Sequence, residues 1–231
     1  QMQVQGCRSL HASFCQFVRE ERLTGDNKYN TRNPQLGRQD ARRATRFKTL
    51  PPVLQLHLKR FEYDLTSGSM HKLQQAFTFP TRLRLQQFMA RDVSKDAPAP
   101  EYELHAVLSH VGDAGEGHYV AYVRPRGSKE WFEFDDTRVS KVGEEVAVRQ
   151  QYGGRHARSR GGFLGGLGPK PNAYMLVYVR RDTLALAADE QPAAALAPEV
   201  RAAFDHQLHR PARSRSARRG AVFGVDEQLA F

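Results

Sequence analysis

Gly117-His-Tyr-Val-Ala-Tyr-Val123, a basic turn from Arg124 to Lys129, and Trp131-Phe-Glu-Phe-Asp-Asp136 constrain this chain more than any other stretch. Tyr119, Ala121 and Val123 recur at every second position, the period of a half-buried strand. The turn at Pro125-Arg126-Gly127 sends the chain back through an aromatic run, Trp131 to Phe134, so the spacing predicts a hairpin. In such a hairpin Asp135 and Asp136 return alongside His118, which follows a loop of glycines and acids from Val111 to Gly117. A histidine held by a carboxylate makes two of the three members of a nucleophilic triad. Taken alone the pair is weak, because a histidine at a strand start is commonly a hydrogen-bonded surface residue and Asp-Asp after a strand is commonly a turn.

The pattern around the pair weighs more. Leu50-Pro-Pro-Val-Leu-Gln-Leu-His-Leu-Lys-Arg-Phe61, Gly117-His-Tyr-Val-Ala-Tyr122, Trp131-Phe-Glu-Phe-Asp-Asp136 and Asn172-Ala-Tyr-Met-Leu-Val-Tyr178 stand in this order. From about Ser9 to Arg181 the chain resembles the C-terminal part of the catalytic domain of the ubiquitin-specific proteases, peptidase family C19. Leu23-Thr-Gly-Asp-Asn-Lys-Tyr29 and Gln151-Tyr-Gly-Gly154 draw the likeness toward the herpesvirus-associated type.

The resemblance implies an α+β chain with the papain-like cysteine protease fold of that family: palm and part of the fingers, a mostly antiparallel sheet, and no thumb. It assigns His118 as general base, Asp135 as the acid that orients it, and Asp136 as the neighbouring alternative. The substrate it implies is ubiquitin on a lysine side chain. Phe61, His110, Tyr119 and Tyr174 match positions that wall a narrow channel for ubiquitin's Gly-Gly tail, with ordinary core packing as the alternative for each. The loops Glu62 to Met70 and Val111 to Gly117 match the two loops over that channel. No cofactor and no metal is expected, since Asn30 and Thr31 stand where many members carry a zinc-binding Cys-x-x-C pair. The family's nucleophile opens a helix in an Asn-x-Cys-Tyr box that this sequence lacks, and neither Cys7 nor Cys15 fits it. These residues alone are therefore not expected to hydrolyse anything; a ubiquitin-binding relative without catalysis is the alternative.

Charge enters where partners are considered. Lys and Arg outnumber Asp and Glu by 35 to 25, for a net charge of +10. Much of the excess lies in Arg155 to Lys170 and in the Arg-rich run from Arg201 to Arg219. Solvated basic loops are preferred over a nucleic-acid surface, because no zinc-finger or RNA-recognition signature accompanies either run. No apolar run is long enough to suggest a membrane span or a signal peptide. Two cysteines give no disulfide framework, so cytoplasm or nucleus is the expected compartment. Gln1 as first residue suggests a segment of something longer.

The remaining expectations concern elements. Leu10, Phe14, Phe17 and Val18 predict an amphipathic helix from Ser9 to Arg19 with Ser9 as N-cap and Cys15 as a packing residue. Asn30 to Arg46 reads as a loop or finger edge, Val53 to Leu58 as a buried strand, Phe77 to Pro80 as a short strand, and Leu83 to Met89 as a small helical piece. Asp92 to Pro100 reads as a surface loop and Tyr102 to His110 as a strand paired with that of His118. Ala173 to Val179 closes the sheet. Residues 1–182 form the catalytic-domain part, and 183–231 a helical, basic tail leading toward a further domain. Leu54, Leu58 and Tyr174 are expected to be left exposed for want of a thumb.

Overall fold

Apolar residues at alternate positions of long extended runs build most of this molecule. The computed structural model describes residues 1–90, 100–154 and 171–186, which lie within one compact unit, Gln1–Ala188. In chain order the elements are β1 (Met2–Gln3), α1 (Leu10–Phe17), β2 (Glu21–Leu23), β3 (Tyr29–Asn30), β4 (Arg38–Gln39), β5 (Ala41–Arg43), β6 (Val53–Lys59), β7 (Phe61–Asp64) and β8 (Ser69–Lys72). Then come β9 (Arg82–Arg84), β10 (Glu101–Gly112), β11 (Gly117–Val123), β12 (Trp131–Asp135), β13 (Arg138–Val142), α2 (Glu144–Ala147), β14 (Pro171–Arg180) and α3 (Arg181–Leu186).

One sheet dominates, with strand order β1, β6, β14, β10, β11, β12, β13 and with β9 added to β10. Every pairing in it is antiparallel except β1 on β6. Its buried face carries Leu56, Leu58, Leu104, Val107, Val120, Tyr122, Trp131, Leu176 and Tyr178. Against that face pack Leu10 and Phe14 of α1 together with Phe77, Phe79 and Leu85, each almost wholly buried. Burial of side chains of this size is worth about 1.5–3 kcal/mol apiece relative to exposure. Tyr178 and Tyr102 are buried with their hydroxyls donating to Pro80 O at 2.6 Å and Pro51 O at 2.5 Å, so neither phenol is left unpaired.

The helix at the N-terminus forms as its pattern predicts, with the Ser9 side chain accepting from Ala12 N at 3.1 Å. Phe17 departs from expectation. It is 46% exposed and stacks on Phe47, ring centroids 5.5 Å apart, rather than entering the core. Cys15 is exposed too, so it is not a packing residue.

Other differences follow from which side of a strand meets the core. In β11 the buried residues are Val120 and Tyr122, while Tyr119, Ala121 and Val123 face outward. Both phases are apolar, so alternation alone could not choose between them. Leu58 is fully buried, against the expectation of an open face there, while Leu54 and Tyr174 are half-buried. Rather than closing the sheet at an edge, β14 lies between β6 and β10. Phe77 to Pro80 forms no strand, only a bridge of Thr78 to Ser9. The stretch after Leu83 is strand β9 followed by one 3₁₀ turn, Gln86–Phe88. Asn30 to Arg46 carries β4 and β5, which pair with β3 and β2 as two small ribbons, so of the two readings, loop or finger edge, the bare loop does not hold. Most of the loop expected from Asp92 to Pro100, the basic run from Arg155 to Lys170 and nearly all of the tail from 187 onward lie outside the described residues. Among the described residues no helix is long and apolar enough to cross a membrane.

Candidate active site

The β11–β12 hairpin brings His118 and Asp135 together. Phe134 pairs with Ala121, so Asp135, one step on, stands diagonal to His118 on the same face of the ladder. His118 Nε2 lies 2.5 Å from Asp135 Oδ1. The imidazole remains 46% exposed and the carboxylate 27%, which leaves one edge of the ring open to an incoming group. Asp136 follows in the two-residue turn to β13, where its φ of 52° is left-handed, a conformation that Asp tolerates better than most residues. Its carboxylate stays close: ligand atoms of His118, Asp135 and Asp136 all lie within 4.8 Å of one another, a spacing that a cation could bridge.

Phe61, His110, Tyr119 and Tyr174 form a closed ring of contacts. Centroid separations are 5.3 Å from Phe61 to His110, 4.8 Å from His110 to Tyr119, 5.7 Å from Tyr119 to Tyr174 and 5.7 Å from Tyr174 back to Phe61. His110 and Tyr119 are direct cross-strand partners in β10 and β11. Strand alternation turns Tyr119 to the face opposite His118, so the ring wall and the histidine lie back to back along β11. Tyr119 is 52% exposed, whereas His110 is buried, and His110 Nδ1 has no hydrogen-bond partner among the described residues. Burial, and after it the charge of Lys72, push the His110 imidazole below its ordinary value. His110 therefore presents a neutral ring at neutral pH.

Two residues that sequence reasoning passed over hold this arrangement. Lys72, at the end of β8, donates to His110 O at 2.9 Å and to Gly112 O at 2.7 Å. It thereby ties the hairpin of β7 and β8 to the β10–β11 turn that precedes His118. Burial first, then the charge of Arg60, lower its pKa to about 8. Arg60 is completely buried and donates to Ala173 O at 2.8 Å, Leu73 O at 2.9 Å, Gln75 O at 2.8 Å and Tyr152 O at 3.1 Å. Burial lowers its pKa to about 10, so it keeps its charge at neutral pH. Only the spacing of apolar residues is legible at either position, because their acceptors are backbone carbonyls and leave no trace in sequence.

The turn between β10 and β11 is tight enough to need its glycines. Gly112 has φ +118°, and a Cβ there would lie 2.5 Å from Glu116 O. A Cβ on Gly117 would lie 1.9 Å from His110 Nε2. The absence of a side chain at Gly117 is what lets the His110 ring pack where it does.

Neither thiol is paired with His118. Cys7 is buried, donates to Gln16 Oε1 at 3.1 Å, and is pushed up in pKa by burial, the reverse of what a nucleophile needs. Cys15 sits mid-helix, 3.7 Å from His11 Nδ1.

Comparison with known proteins places this geometry. The family model for ubiquitin carboxyl-terminal hydrolase matches residues 1–178. Ubiquitin C-terminal hydrolase 13 of Arabidopsis thaliana is 43% identical over 188 residues, spanning 78% of this chain and 17% of the relative. Ubiquitin carboxyl-terminal hydrolase 7 of Drosophila melanogaster is 37% identical over 190 residues, spanning 80% of this chain and 15% of the relative. The chain thus spans less than a fifth of these relatives' length. Among solved structures, a chain of the SAGA Ubp8/Sgf11/Sus1/Sgf73 DUB module bound to ubiquitin aldehyde superposes with TM-score 0.58 at 29% identity, over 78% of this chain and 35% of that one. The α+β sheet described above is accordingly the palm-type part of a papain-like fold. With its model matched over residues 1–178, this chain belongs to the ubiquitin carboxyl-terminal hydrolase family, the ubiquitin-specific cysteine proteases.

Proposed function

We propose that this chain supplies the general base, the orienting acid and the tail channel of a cysteine-type deubiquitinase of the herpesvirus-associated type, and that the nucleophilic thiol comes from outside these residues. The observation that carries the reading is the contact of His118 Nε2 with Asp135 Oδ1 at 2.5 Å on a half-open imidazole. His118 would take the thiol proton as the thiolate attacks the isopeptide carbonyl, then return it to the lysine amine as the C–N bond breaks and a thioester remains. Deprotonation of water by the same imidazole would release ubiquitin and regenerate the thiol. Asp135 holds the ring and stabilises the imidazolium in both halves of the cycle.

Ubiquitin as partner draws support from the solved neighbour bound to ubiquitin aldehyde. A Gly-Gly tail has no side chains, so flat rings can close on it; Phe61, His110, Tyr119 and Tyr174 form such a wall. Cytoplasm or nucleus suits a chain whose Cys7 and Cys15 are both free thiols.

A non-catalytic ubiquitin binder is the second reading, favoured by the absence of an Asn-x-Cys box from the 231 residues. The test is hydrolysis of a fluorogenic ubiquitin amide by the chain alone and by the chain joined to a family thumb segment carrying that box. No turnover alone and turnover in the joined chain that needs both the added cysteine and His118 is expected. Turnover by the chain alone that vanishes in Cys15→Ala or Cys7→Ala overturns the assignment of the thiol; ubiquitin binding without turnover in the joined chain supports the second reading.

A further inference from the structure

The turn at the far end of β11 from His118 makes a concave site of its own. A cavity of about 510 Å³ opens between β9, β10, the β11–β12 turn and the start of α2. That volume falls in the range of small-ligand pockets, about 300–1,000 Å³. Its walls are charged rather than apolar. Arg82 of β9, and Arg126 and Lys129 of the turn, line it without an ion pair among the described residues. Arg124, in contrast, is committed: it pairs with Glu103 at 3.2 Å, donates to Leu104 O at 3.0 Å and lies over the Trp131 ring. Glu103 is held a second time by Arg181, also at 3.2 Å. The only other carboxylate of the lining, Glu144, is exposed, as are Arg82, Arg126 and Lys129.

Three cations without an ion pair among the described residues thus share one open hollow with a single unpaired acid, all four of these residues being exposed. The field is felt by the His105 ring, also in the lining, which is pushed below its ordinary pKa by burial and then by the charges of Arg126 and Arg124. Like charges gathered around one concave surface add their potentials there, and a bound anion relieves their mutual repulsion. The cations stand on two elements, Arg82 on β9 and Arg126 with Lys129 on the β11–β12 turn. A ligand with several oxyanion groups can meet all three, with the guanidinium forks of Arg82 and Arg126 suited to phosphoryl oxygens.

We propose that this cavity binds a small compound bearing several phosphoryl groups. The site is separate from the candidate active site. Six steps along β11 from His118 to Arg124, at about 3.3 Å each, set the two roughly 20 Å apart. The proposal goes beyond the deubiquitinase assignment and its test needs no turnover.

Inorganic tripolyphosphate is the probe, titrated calorimetrically into the full chain at physiological salt. Because the chain is basic overall, a charge control is built in: Arg126→Glu with Lys129→Glu is compared with Arg38→Glu with Arg42→Glu on the distant ribbons. Saturable binding that weakens by about tenfold or more in the turn variant and stays nearly unchanged in the ribbon variant is expected. Tripolyphosphate should also shift the backbone amide resonance of Gly127. Should the double turn variant fail to fold, Arg126→Gln and Arg82→Gln singly take its place and each should weaken binding. Equal weakening in the turn and ribbon variants, or no saturable binding, overturns the site. An Asp-rich peptide that binds more tightly than tripolyphosphate and shifts the same amide overturns the phosphoryl assignment.

Discussion

His118 Nε2 and Asp135 Oδ1 meet at 2.5 Å diagonally across neighbouring strands, with Asp136 close behind on a left-handed backbone. In the chain joined to a thumb segment that carries the cysteine box, His118→Ala should lower turnover by about a thousandfold while leaving ubiquitin affinity nearly unchanged. Asp135→Ala should cost less, because a poorly held imidazole still accepts a proton. Asp136→Ala should cost least, since its carboxylate makes no hydrogen bond to the ring. Rate and affinity measured for all three decide the roles: a larger rate loss at Asp136 than at Asp135 would transfer the orienting role to Asp136.

Gly117→Ala tests the wall of aromatic rings rather than the proposed proton transfer through His118. The new methyl would fall 1.9 Å from His110 Nε2, so the ring must move and the contacts with Phe61 and Tyr119 must open. Overpacking of this kind costs about 1–3 kcal/mol. A lower melting temperature together with weaker ubiquitin binding is expected; an unchanged His110 ring resonance would refute the steric account.

Lys72 makes a prediction in pH. Its folded pKa of about 8 lies below the ordinary lysine value of 10.5, so above pH 8 the unfolded chain holds the proton that the folded chain has lost. Stability from this group therefore rises as pH climbs from about 8 toward 10.5. Cys7 opposes it, since its raised pKa makes the folded thiol hold its proton longest. The difference between wild type and Lys72→Met isolates the lysine: the wild type should gain stability relative to the variant as pH rises through that window in denaturant titrations. A constant difference across the window would remove the assigned shift.

Arg60→Met should be among the most destabilising single changes in this chain. It takes a buried donor from four carbonyls on three separate segments, of which Tyr152 O keeps Phe77 N and Leu73 O keeps Asn172 Nδ2. A loss of about 3–5 kcal/mol is expected, read from the urea midpoint. Arg60→Lys should recover only part of it, because one ammonium cannot span carbonyls as far apart as those of Ala173 and Tyr152.

The residues legible in sequence are those whose geometry is local. His118 and Asp135 sit on two strands joined by a short turn, so period and turn chemistry sufficed to bring them together. The buried phase of β11 was not legible, since Tyr119 and Val120 are both apolar and only the core chooses between them. Phe17 belonged to the apolar stripe but meets Phe47 on the surface instead, a partner thirty residues away that no helical period reveals. Lys72 and Arg60 were missed because what they bind is backbone. The place of β14 was missed because strand order depends on pairings between residues sixty or more positions apart.

That place has a consequence for how the chain comes off the ribosome. β14 pairs with β6 on one side and with β10 on the other, yet it is the last strand to be synthesised among those described. Until Pro171 to Arg180 emerge, β6 and β10 each wait with an unsatisfied edge, and the N-terminal layer of Leu10, Phe14 and Phe79 has only part of the surface it will cover. Edges of that kind recruit other chains. A nascent chain stalled or truncated before β14 is therefore a species that chaperones must hold, and completion of the sheet is a single late event rather than a gradual one.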